Sequence, residues 1–341
     1  MCATSHDHPH SNAITAYAIL FSAMNIVVLQ PLTIADSELN SFVSQLQKLH
    51  HDVQTYDQPP KSPEETRERV KNADIIMTVN YPLDKTTLSQ IPILKMISIA
   101  FTGYDHVDID YCTQKGITVT NAAGYATDAV AELTFGLILN LLRSIPQGDV
   151  ATRSGGTRSG LIGRELRGKT FGIVGTGTIG LRVAHIGKAF GCELLGFSRS
   201  KRKEVGSLDL KYVDLPTLLQ KSDIISVHTP LTPQTKDLIS WKEFQMMKPS
   251  AILIQTSRGG TVNEDALVDA LTTGKIAGAG IDVFVQEPPI DLNNPMLTTK
   301  KSILTPHVAF ATKESLERRA SIAFQNIQDF LSGTPHNVIV P

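Results

Sequence analysis

The sequence predicts an α/β protein with two doubly wound parallel-sheet domains. Short β-branched runs alternate with stretches of helical spacing, and this alternation occurs in two series, one before and one after residue 169. Strands that alternate with helices favour a parallel sheet covered by helices on both faces. A chain of 341 residues is too long for one ordinary core and suits two domains.

The first series begins at Asn25. We predict its strands over residues 26–29, 74–79 and 96–100, and its helices over 37–49, 64–71 and 85–90. A long helix over 127–143 follows, because apolar residues recur at helical spacing from Val130 to Leu141. Thr127 or Asp128 is its expected N-cap.

The second series begins near Lys169. Its strands are predicted over residues 170–174, 193–197, 224–228, 251–254, 279–283 and 302–304, and a helix over 313–331 follows. Residues 153–163, rich in Gly, Ser, Thr and Arg, are expected to form a surface arm or linker. A βα series in the middle of the chain predicts an inserted domain.

We therefore expect one domain over residues 123–311, inserted into a second domain formed by 24–122 and 312–341. Residues 1–23 are expected to be an extension outside the fold.

A glycine-rich turn, Gly175-Thr176-Gly177-Thr178-Ile179-Gly180, follows the first strand of the second series. The first glycine permits a tight turn, the second lets a pyrophosphate approach the backbone, and the third lets the helix pack close to the strand. The helix N-terminus offers free N–H groups to phosphates. This pattern alone is weak evidence, but its strand and helix context predicts a dinucleotide site.

The next strand bears on which dinucleotide binds. An acidic residue at its end would bind the ribose hydroxyls of NAD, but here the strand ends at Ser198, Arg199 and Ser200, and Lys201–Lys203 follow. Hydroxyls and a guanidinium suit a 2′-phosphate, so the sequence favours NADP, with NAD as the alternative. A solvated basic loop is the other interpretation of these residues.

Three charged or titratable residues each come just after a predicted strand: Arg258, Glu287 and His307. In open parallel sheets, ligands bind at this edge. An arginine can hold a substrate carboxylate and polarise a carbonyl, and a histidine can act as general acid. A carboxylate beside that histidine favours its protonated form. Together they predict reduction of a 2-oxo acid, although each alone is more often structural.

Composition excludes several other classes. The net charge of −1 gives no bulk attraction to nucleic acid or to an anionic membrane. No apolar stretch is long enough to span a membrane. The three cysteines lack metal-ligand spacing, and their odd number does not suggest a disulfide framework. We expect no metal site, including at His6, His8 and His10, and a reducing, cytoplasmic setting.

The sequence resembles the D-isomer-specific 2-hydroxyacid dehydrogenase family over nearly all of residues 24–341, and within it the glyoxylate and hydroxypyruvate reductases. Five motifs carry the resemblance: Gly175–Gly180, Ser257-Arg258-Gly259, Val262-Asn263-Glu264, Asp282-Val283-Phe284 with Glu287-Pro288, and Thr305-Pro306-His307. The resemblance implies a Rossmann cofactor domain inserted into a flavodoxin-like substrate domain. It also implies a homodimer built by the long helix and its arm.

The resemblance implies a role for each site residue. Arg258, Glu287 and His307 would be the catalytic set, with His307 as acid in reduction and base in oxidation. Thr102 and Gly103 would offer N–H groups to the substrate carboxylate. The residues expected near the cofactor are Thr127, His228, Thr229, Pro230, Thr256 and Asp282. Two interpretations of Tyr125 stay open, at the substrate entrance or in packing.

Two other functions compete with a D-2-hydroxyacid dehydrogenase. One is a non-catalytic dinucleotide sensor of the corepressor kind, against which the intact Arg258, Glu287 and His307 argue. The other is a phosphonate- or formate-type dehydrogenase, whose anionic substrates have no side chain. Residues 101–106 do not decide this second question.

Overall fold

The computed structural model describes residues 23–202, 206, 208–287 and 289–341. The expected N-terminal extension therefore lies outside the described residues except for Ala23, and so do Lys203 of the basic loop and the histidines at positions 6, 8 and 10. The described chain forms two compact units. Unit 1 comprises residues 23–125 and 313–341, and unit 2 comprises residues 126–312.

Unit 1 is built on a six-stranded sheet of described residues, in the order β13-β5-β4-β3-β1-β2. Its strands are β1 (Asn25–Val28), β2 (Asp52–Thr55), β3 (Ile75–Thr78), β4 (Met96–Ile99), β5 (Thr118–Asn121) and β13 (Val338–Val340). Its helices are α1 (Asp36–Lys48), α2 (Pro63–Val70), α3 (Lys85–Leu88), α4 (Ile109–Lys115) and α11 (Lys313–Leu331).

The sheet of unit 1 is buried on both faces. Every residue of β3, β4 and β5 is buried, which is typical of parallel strands covered by helices on both sides. Helix α11 contributes Phe324, whose ring stacks on Phe42 with centroids 4.8 Å apart. Ser98 Oγ also donates a hydrogen bond to the Ala323 carbonyl at 2.9 Å. The last helix of the chain is therefore part of the core of unit 1.

Unit 2 is built on a seven-stranded parallel sheet of described residues, in the order β12-β11-β10-β9-β6-β7-β8. Its strands are β6 (Thr170–Val174), β7 (Glu193–Phe197), β8 (Lys211–Tyr212), β9 (Ile224–Val227), β10 (Ile252–Gln255), β11 (Gly278–Ile281) and β12 (Ser302–Leu304). Its helices are α5 (Thr127–Arg143), α6 (Ile145–Arg153), α7 (Thr178–Ala189), α8 (Leu215–Lys221), α9 (Trp241–Met246) and α10 (Glu264–Thr272).

The long helix α5 packs directly on the sheet of unit 2. Gly280 of β11 permits this approach, because a Cβ atom there would lie 2.8 Å from Cβ of Leu137. Apolar clusters fill both sides of the sheet, with Phe171 in one and Phe244 in the other. This packing holds the carboxyl ends of β9 to β12 along one edge.

The predicted fold class, two doubly wound parallel-sheet domains, is confirmed, with one exception in strand direction. The strand β13 runs antiparallel to β5, because the chain returns from α11 along the free edge of the sheet. The predicted N-cap of the long helix is wrong. Ala126 occupies that position and makes no side-chain cap, while Thr127 is the first helical residue and Asp128 pairs with Arg182.

In the described part of the chain, no single helix has the length and apolarity to cross a membrane. Helices α5 and α6, which are bent by 57° relative to each other, together have the length and apolar composition of a membrane span, but this similarity rests on length and composition alone. Eight residues of α5 are buried within unit 2, which explains its apolar composition as that of a core helix.

Candidate active site

Three charged side chains follow neighbouring strands of unit 2. Arg258 follows β10, Glu287 follows β11 and His307 follows β12, and these strands are adjacent in the sheet. Because the strands are parallel, their carboxyl ends lie at the same edge, where ligands bind in open α/β sheets. The order of the strands thus assembles the three segments that the sequence predicted.

Glu287 and His307 are in direct contact. Glu287 Oε1 lies 2.6 Å from His307 Nδ1, and its other oxygen accepts a hydrogen bond from the Phe284 N–H at 3.0 Å. Both side chains are largely buried, with 17% and 26% exposed, so solvent screens the contact only in part. The carboxylate fixes the ring and leaves Nε2 as the nitrogen available to a reacting group.

The backbone of His307 is held in an unusual conformation. Its φ is 53°, in the left-handed region that non-glycine residues rarely adopt. The carboxylate of Asp282 fixes this turn, because it accepts hydrogen bonds from Thr305 Oγ1 (2.6 Å), the Val308 N–H (2.9 Å) and the Ala309 N–H (2.9 Å). The His307 N–H donates to the Asp282 carbonyl at 2.8 Å. Asp282 therefore organises the turn that presents the imidazole.

Asp282 is fully buried. Burial raises the pKa of its carboxyl above the usual range, while the hydrogen bonds that it accepts and the nearby His307 oppose this shift. The family resemblance implied a place near the nicotinamide for this residue. The observed contacts show that its carboxylate holds the backbone turn on which His307 lies.

The turn that carries Arg258 is closed by Gln255, the last residue of β10. The buried Gln255 side chain donates a hydrogen bond to the Arg258 carbonyl at 2.7 Å, and Ser257 Oγ donates to its amide oxygen at 3.1 Å. Arg258 Nη1 in turn donates to the Ser257 carbonyl at 2.9 Å. These bonds fix the backbone around the guanidinium, which is partly exposed.

The glycine turn after β6 has the shape that a pyrophosphate needs. Gly175 has φ 94°, and a Cβ there would lie 2.7 Å from the His228 carbonyl oxygen. A Cβ at Gly180 would lie 2.0 Å from the Gly175 carbonyl oxygen, so this glycine lets α7 pack against the turn. A Cβ at Gly177 would meet nothing within 4 Å. The turn thus leaves open space at the middle glycine, next to the N-terminus of α7 at Thr178 and Ile179.

Tyr212 connects this turn to the basic loop after β7. Its hydroxyl lies 2.8 Å from Oγ1 of the buried Thr176 and accepts a hydrogen bond from the Arg202 N–H at 3.1 Å. Within the described residues, Arg199 is exposed and makes no ion pair, while Ser198 is partly buried. The loop therefore presents hydroxyl and guanidinium groups beside the glycine turn.

The segment after β9 borders the same turn. The His228 N–H donates to the Val174 carbonyl at 2.7 Å, and His228 Nε2 lies 2.7 Å from Ser226 Oγ. Burial lowers the pKa of His228 to about 4, so the ring is neutral at pH 7. The hydroxyl oxygen of Thr229 is buried without a hydrogen-bond partner among the described residues, while Pro230 is exposed. A buried orphan hydroxyl beside the glycine turn is consistent with a site for a polar ligand.

Two further predicted residues lie at the start of α5 and just after β10. Thr256 is buried, and its Oγ1 lies 3.3 Å from Oγ1 of Thr134. Thr127 begins α5 and is partly buried, and the neighbouring Asp128–Arg182 ion pair (2.7 Å) joins α5 to α7 just after the glycine turn.

Thr102, Gly103 and Tyr125 belong to unit 1. Thr102 is exposed in the loop after β4, and its carbonyl accepts a hydrogen bond from Asn121 Nδ2 at 2.7 Å. Tyr125 is buried, its carbonyl accepts from Arg318 Nε at 3.1 Å, and its ring lies 6.0 Å from that of Phe101. Of the two interpretations of Tyr125, the contacts favour packing.

The comparisons with known proteins agree with this geometry. The family model described as "D-isomer specific 2-hydroxyacid dehydrogenase, NAD binding domain" matches residues 135–309. The chain belongs to this family. The resemblance inferred from the motifs is therefore confirmed, and the matched residues include the glycine turn, Arg258, Glu287 and His307.

Individual relatives and solved structures are similar to this chain over most of its length. Glyoxylate reductase of Aeropyrum pernix is 41% identical over 302 residues, which are 85% of this chain and 90% of that protein. An acyclic imino acid reductase (Bsp5), solved in complex with NADPH and D-Arg, has 31% identity and a TM-score of 0.85, over 93% of this chain and 100% of that one. D-lactate dehydrogenase from Aquifex aeolicus, complexed with NAD and lactic acid, has 31% identity and a TM-score of 0.81, over 93% and 99%.

The sequence did not reveal every residue that shapes the site of this dehydrogenase. Gln255, Tyr212 and Glu264 act through side-chain hydrogen bonds to loop backbones. Only Glu264 carried a signal, as part of the Val262-Asn263-Glu264 motif. Among the described residues, no group of three or more His, Cys, Asp and Glu side chains could hold a metal ion.

We predict that His228 makes unit 2 sensitive to acid. Its folded pKa is about 4 and its ordinary value 6.5, so between these values the unfolded chain binds more protons and stability falls as pH drops. Urea unfolding at pH 7 and pH 5 should show that His228→Asn reduces this loss by about 1–2 kcal/mol. The exposed His185 provides the control, because His185→Asn should leave the loss unchanged. An equal loss in wild type and His228→Asn would contradict the prediction.

Proposed function

We propose that this chain is an NAD(P)-dependent oxidoreductase that reduces a small 2-oxo acid to the D-2-hydroxy acid and catalyses the reverse reaction. The observation that carries the proposal is the 2.6 Å contact between Glu287 and His307 at the sheet edge that also holds the glycine turn. An acid–base pair beside a dinucleotide cradle suits the reduction of a carbonyl. The relatives named as glyoxylate reductase and D-lactate dehydrogenase support this substrate class.

The residues present fit a nicotinamide dinucleotide. We assign the pyrophosphate to the open space at Gly177, with the N–H groups of Thr178 and Ile179 as donors. Thr229 would supply the hydroxyl that lacks a partner, and Thr256 and Asp282 would lie towards the nicotinamide end. When bound, the cofactor supplies or accepts the hydride.

The chain's own residues supply the remaining chemistry. In reduction, His307 Nε2 donates a proton to the carbonyl oxygen, while Glu287 stabilises the imidazolium before the transfer. Arg258 holds the substrate carboxylate and polarises the carbonyl. From the family resemblance, Thr102 and Gly103 are proposed to offer N–H groups to a substrate carboxylate. In oxidation, His307 accepts the proton of the substrate hydroxyl.

We propose NADP as the preferred cofactor, with NAD as a possible substitute. Support comes from the strand end at Ser198, Arg199 and Ser200, which carries no carboxylate to repel a 2′-phosphate. The exposed guanidinium of Arg199 suits bidentate binding of phosphate. The imino acid reductase relative was solved with NADPH, and the D-lactate dehydrogenase relative with NAD.

We further propose a cytoplasmic homodimer that needs neither nucleic acid nor membrane. Support for self-association comes from Ile145 and Val150 on α6, which expose 52% and 67% of their surface. The two described cysteines, Cys112 and Cys192, are free and buried, consistent with a reducing compartment.

We predict that His307→Asn abolishes most turnover and leaves the fold intact. Asparagine tolerates the positive φ at this position, so the backbone need not move, but its amide cannot donate the proton. Reduction of glyoxylate, hydroxypyruvate and pyruvate with NADPH should fall by about 10²–10⁴-fold in kcat. Cofactor binding, followed by nicotinamide fluorescence, is the control and should stay near wild type. An active variant would remove the proposed acid, and a wild type without turnover would favour a dinucleotide sensor.

We predict that Arg199→Ala weakens NADPH binding far more than NADH binding. Loss of a charge-assisted contact to the 2′-phosphate should raise the KM for NADPH about tenfold or more. The matched control is Lys221→Ala, which removes one exposed positive charge from α8 of the same unit. Equal changes for both cofactors would mean that the loop is only solvated surface.

A further inference from the structure

The loop that carries Glu287 has little apolar anchorage of its own. Phe284 is buried, but the next residue, Val285, exposes 66% of its surface, and Gln286 is also exposed. Beyond Phe284, no buried apolar side chain anchors the described residues of the loop up to Glu287. Hydrogen bonds to the backbone N–H groups of Phe284 and Val285 supply further anchorage.

Glu264, the first residue of α10, supplies the anchor. Its Oε1 accepts a hydrogen bond from the Val285 N–H at 2.6 Å, and its Oε2 accepts one from Asn294 Nδ2 at 3.1 Å. The carboxylate thus bridges the two ends of the segment that contains Glu287. A hydrogen bond to a carboxylate is shorter and stronger than one between neutral groups.

The turn that carries Arg258 is packed against the same loop. A Cβ at Gly259 would lie 2.0 Å from the Phe284 carbonyl oxygen and 2.6 Å from the Val285 nitrogen. Only a residue without a side chain allows this approach. The backbone at Phe284 and Val285 is therefore held between the Arg258 turn on one side and Glu264 on the other.

We infer that Glu264 is a positioning residue for the reaction: it holds the 284–287 loop so that Glu287 meets His307 at bonding distance. The inference rests on the proposed function and extends it to a residue that touches neither member of the pair. A shift of about 1 Å in this loop would lengthen the 2.6 Å contact and cost up to about 10²-fold in rate.

A plain helix-stabilising role is the competing explanation. Acidic residues in the first turn interact favourably with the helix dipole, and α10 carries two, Glu264 and Asp265. Asp265 is exposed, and no described contact joins it to Val285 or Asn294. Asp265→Asn removes the same charge from the same turn and is the matched control.

The anchor can be broken and rebuilt by exchanging hydrogen-bonding groups. The Val285 N–H and the Asn294 side-chain NH2 both donate hydrogen bonds to the Glu264 carboxylate. In Glu264→Gln, one carboxylate oxygen is replaced by an NH2 group, so one of these two donors then faces another donor. Asn294 cannot turn round, because its Oδ1 accepts the Met296 N–H at 2.9 Å at the start of the 3-10 helix Pro295–Thr298. In the double variant Glu264→Gln/Asn294→Asp, the new amide at position 264 donates to the new carboxylate at position 294, and its oxygen accepts from Val285. Both bonds are then restored with the net charge unchanged.

We expect Glu264→Gln to lower kcat for reduction by about fivefold or more and to move the alkaline limb of its pH profile to lower pH. Among the described residues, Asp282 also interacts electrostatically with His307, and none of these variants changes it. Amide hydrogen exchange in residues 284–287 should accelerate about tenfold. The double variant should return kcat, the pH profile and the exchange to within about twofold of wild type, and Asp265→Asn should match wild type.

Unchanged kcat, pH profile or exchange in Glu264→Gln would overturn the inference, as would a double variant without recovery. A loss of unfolding free energy with an unchanged pH profile would make Glu264 merely structural and overturn it too. The exchange measurement needs no turnover. If wild type reduces no 2-oxo acid, the proposed function fails, and unchanged exchange would still separately reject the anchor.

Discussion

The contact between Glu287 and His307 is the interaction on which the proposed chemistry of this chain depends. An isolated imidazole at a sheet edge can rotate and adopt either tautomer, but a carboxylate at 2.6 Å fixes the ring and leaves Nε2 free for the proposed proton transfer. The strands that precede Glu287 and His307 do not by themselves fix the positions of these two side chains. Asp282 shapes the turn of His307, and Glu264 and Gly259 hold the loop of Glu287.

The architecture explains why these supports lie at one place. A parallel sheet aligns the carboxyl ends of β10, β11 and β12, so the three loops that follow these strands lie next to one another. The glycine turn belongs to the same edge, after β6, and Gly180 keeps α7 close enough for its N-terminus to face a phosphate. Backbone approach at Gly175, Gly180 and Gly259 leaves no room for a Cβ. A side chain at any of these three glycines would displace the neighbouring backbone and would not directly remove a reacting group.

Much of the fold could be predicted from the sequence, because the strands of a parallel sheet are continuous apolar runs. The ranges 170–174, 193–197 and 302–304 agree with β6, β7 and β12. Four of the described strands were missed: β2, β5, β8 and β13. The sequences of β2 and β5, Asp-Val-Gln-Thr and Thr-Val-Thr-Asn, are polar enough to resemble loops, and β8 and β13 are only two and three residues long. The sequence of β5 is fully buried only because its neighbours and α11 cover it, which is a tertiary effect.

The candidate site, like the fold, could be predicted from the sequence only in part. Arg258, Glu287 and His307 could be proposed together because each follows a strand, and the carboxyl ends of parallel strands meet at one sheet edge where ligands bind. The left-handed turn at His307, the bridge made by Glu264 and the Tyr212 hydroxyl could not be found, because each depends on how a loop folds back on a distant residue. The roles of Thr102 and Gly103 rest on family resemblance and stay predictions.

In the proposed reaction, the site moves a hydride between a nicotinamide and the C2 atom of a 2-oxo acid. This transfer is tested most directly by reducing hydroxypyruvate with NADPH that carries deuterium at one or the other face of C4. We expect one deuterium at C2 of the product from one labelled cofactor and none from the other, with no C2 label from heavy water. Product without deuterium from either cofactor, or no product at all, would contradict the proposal.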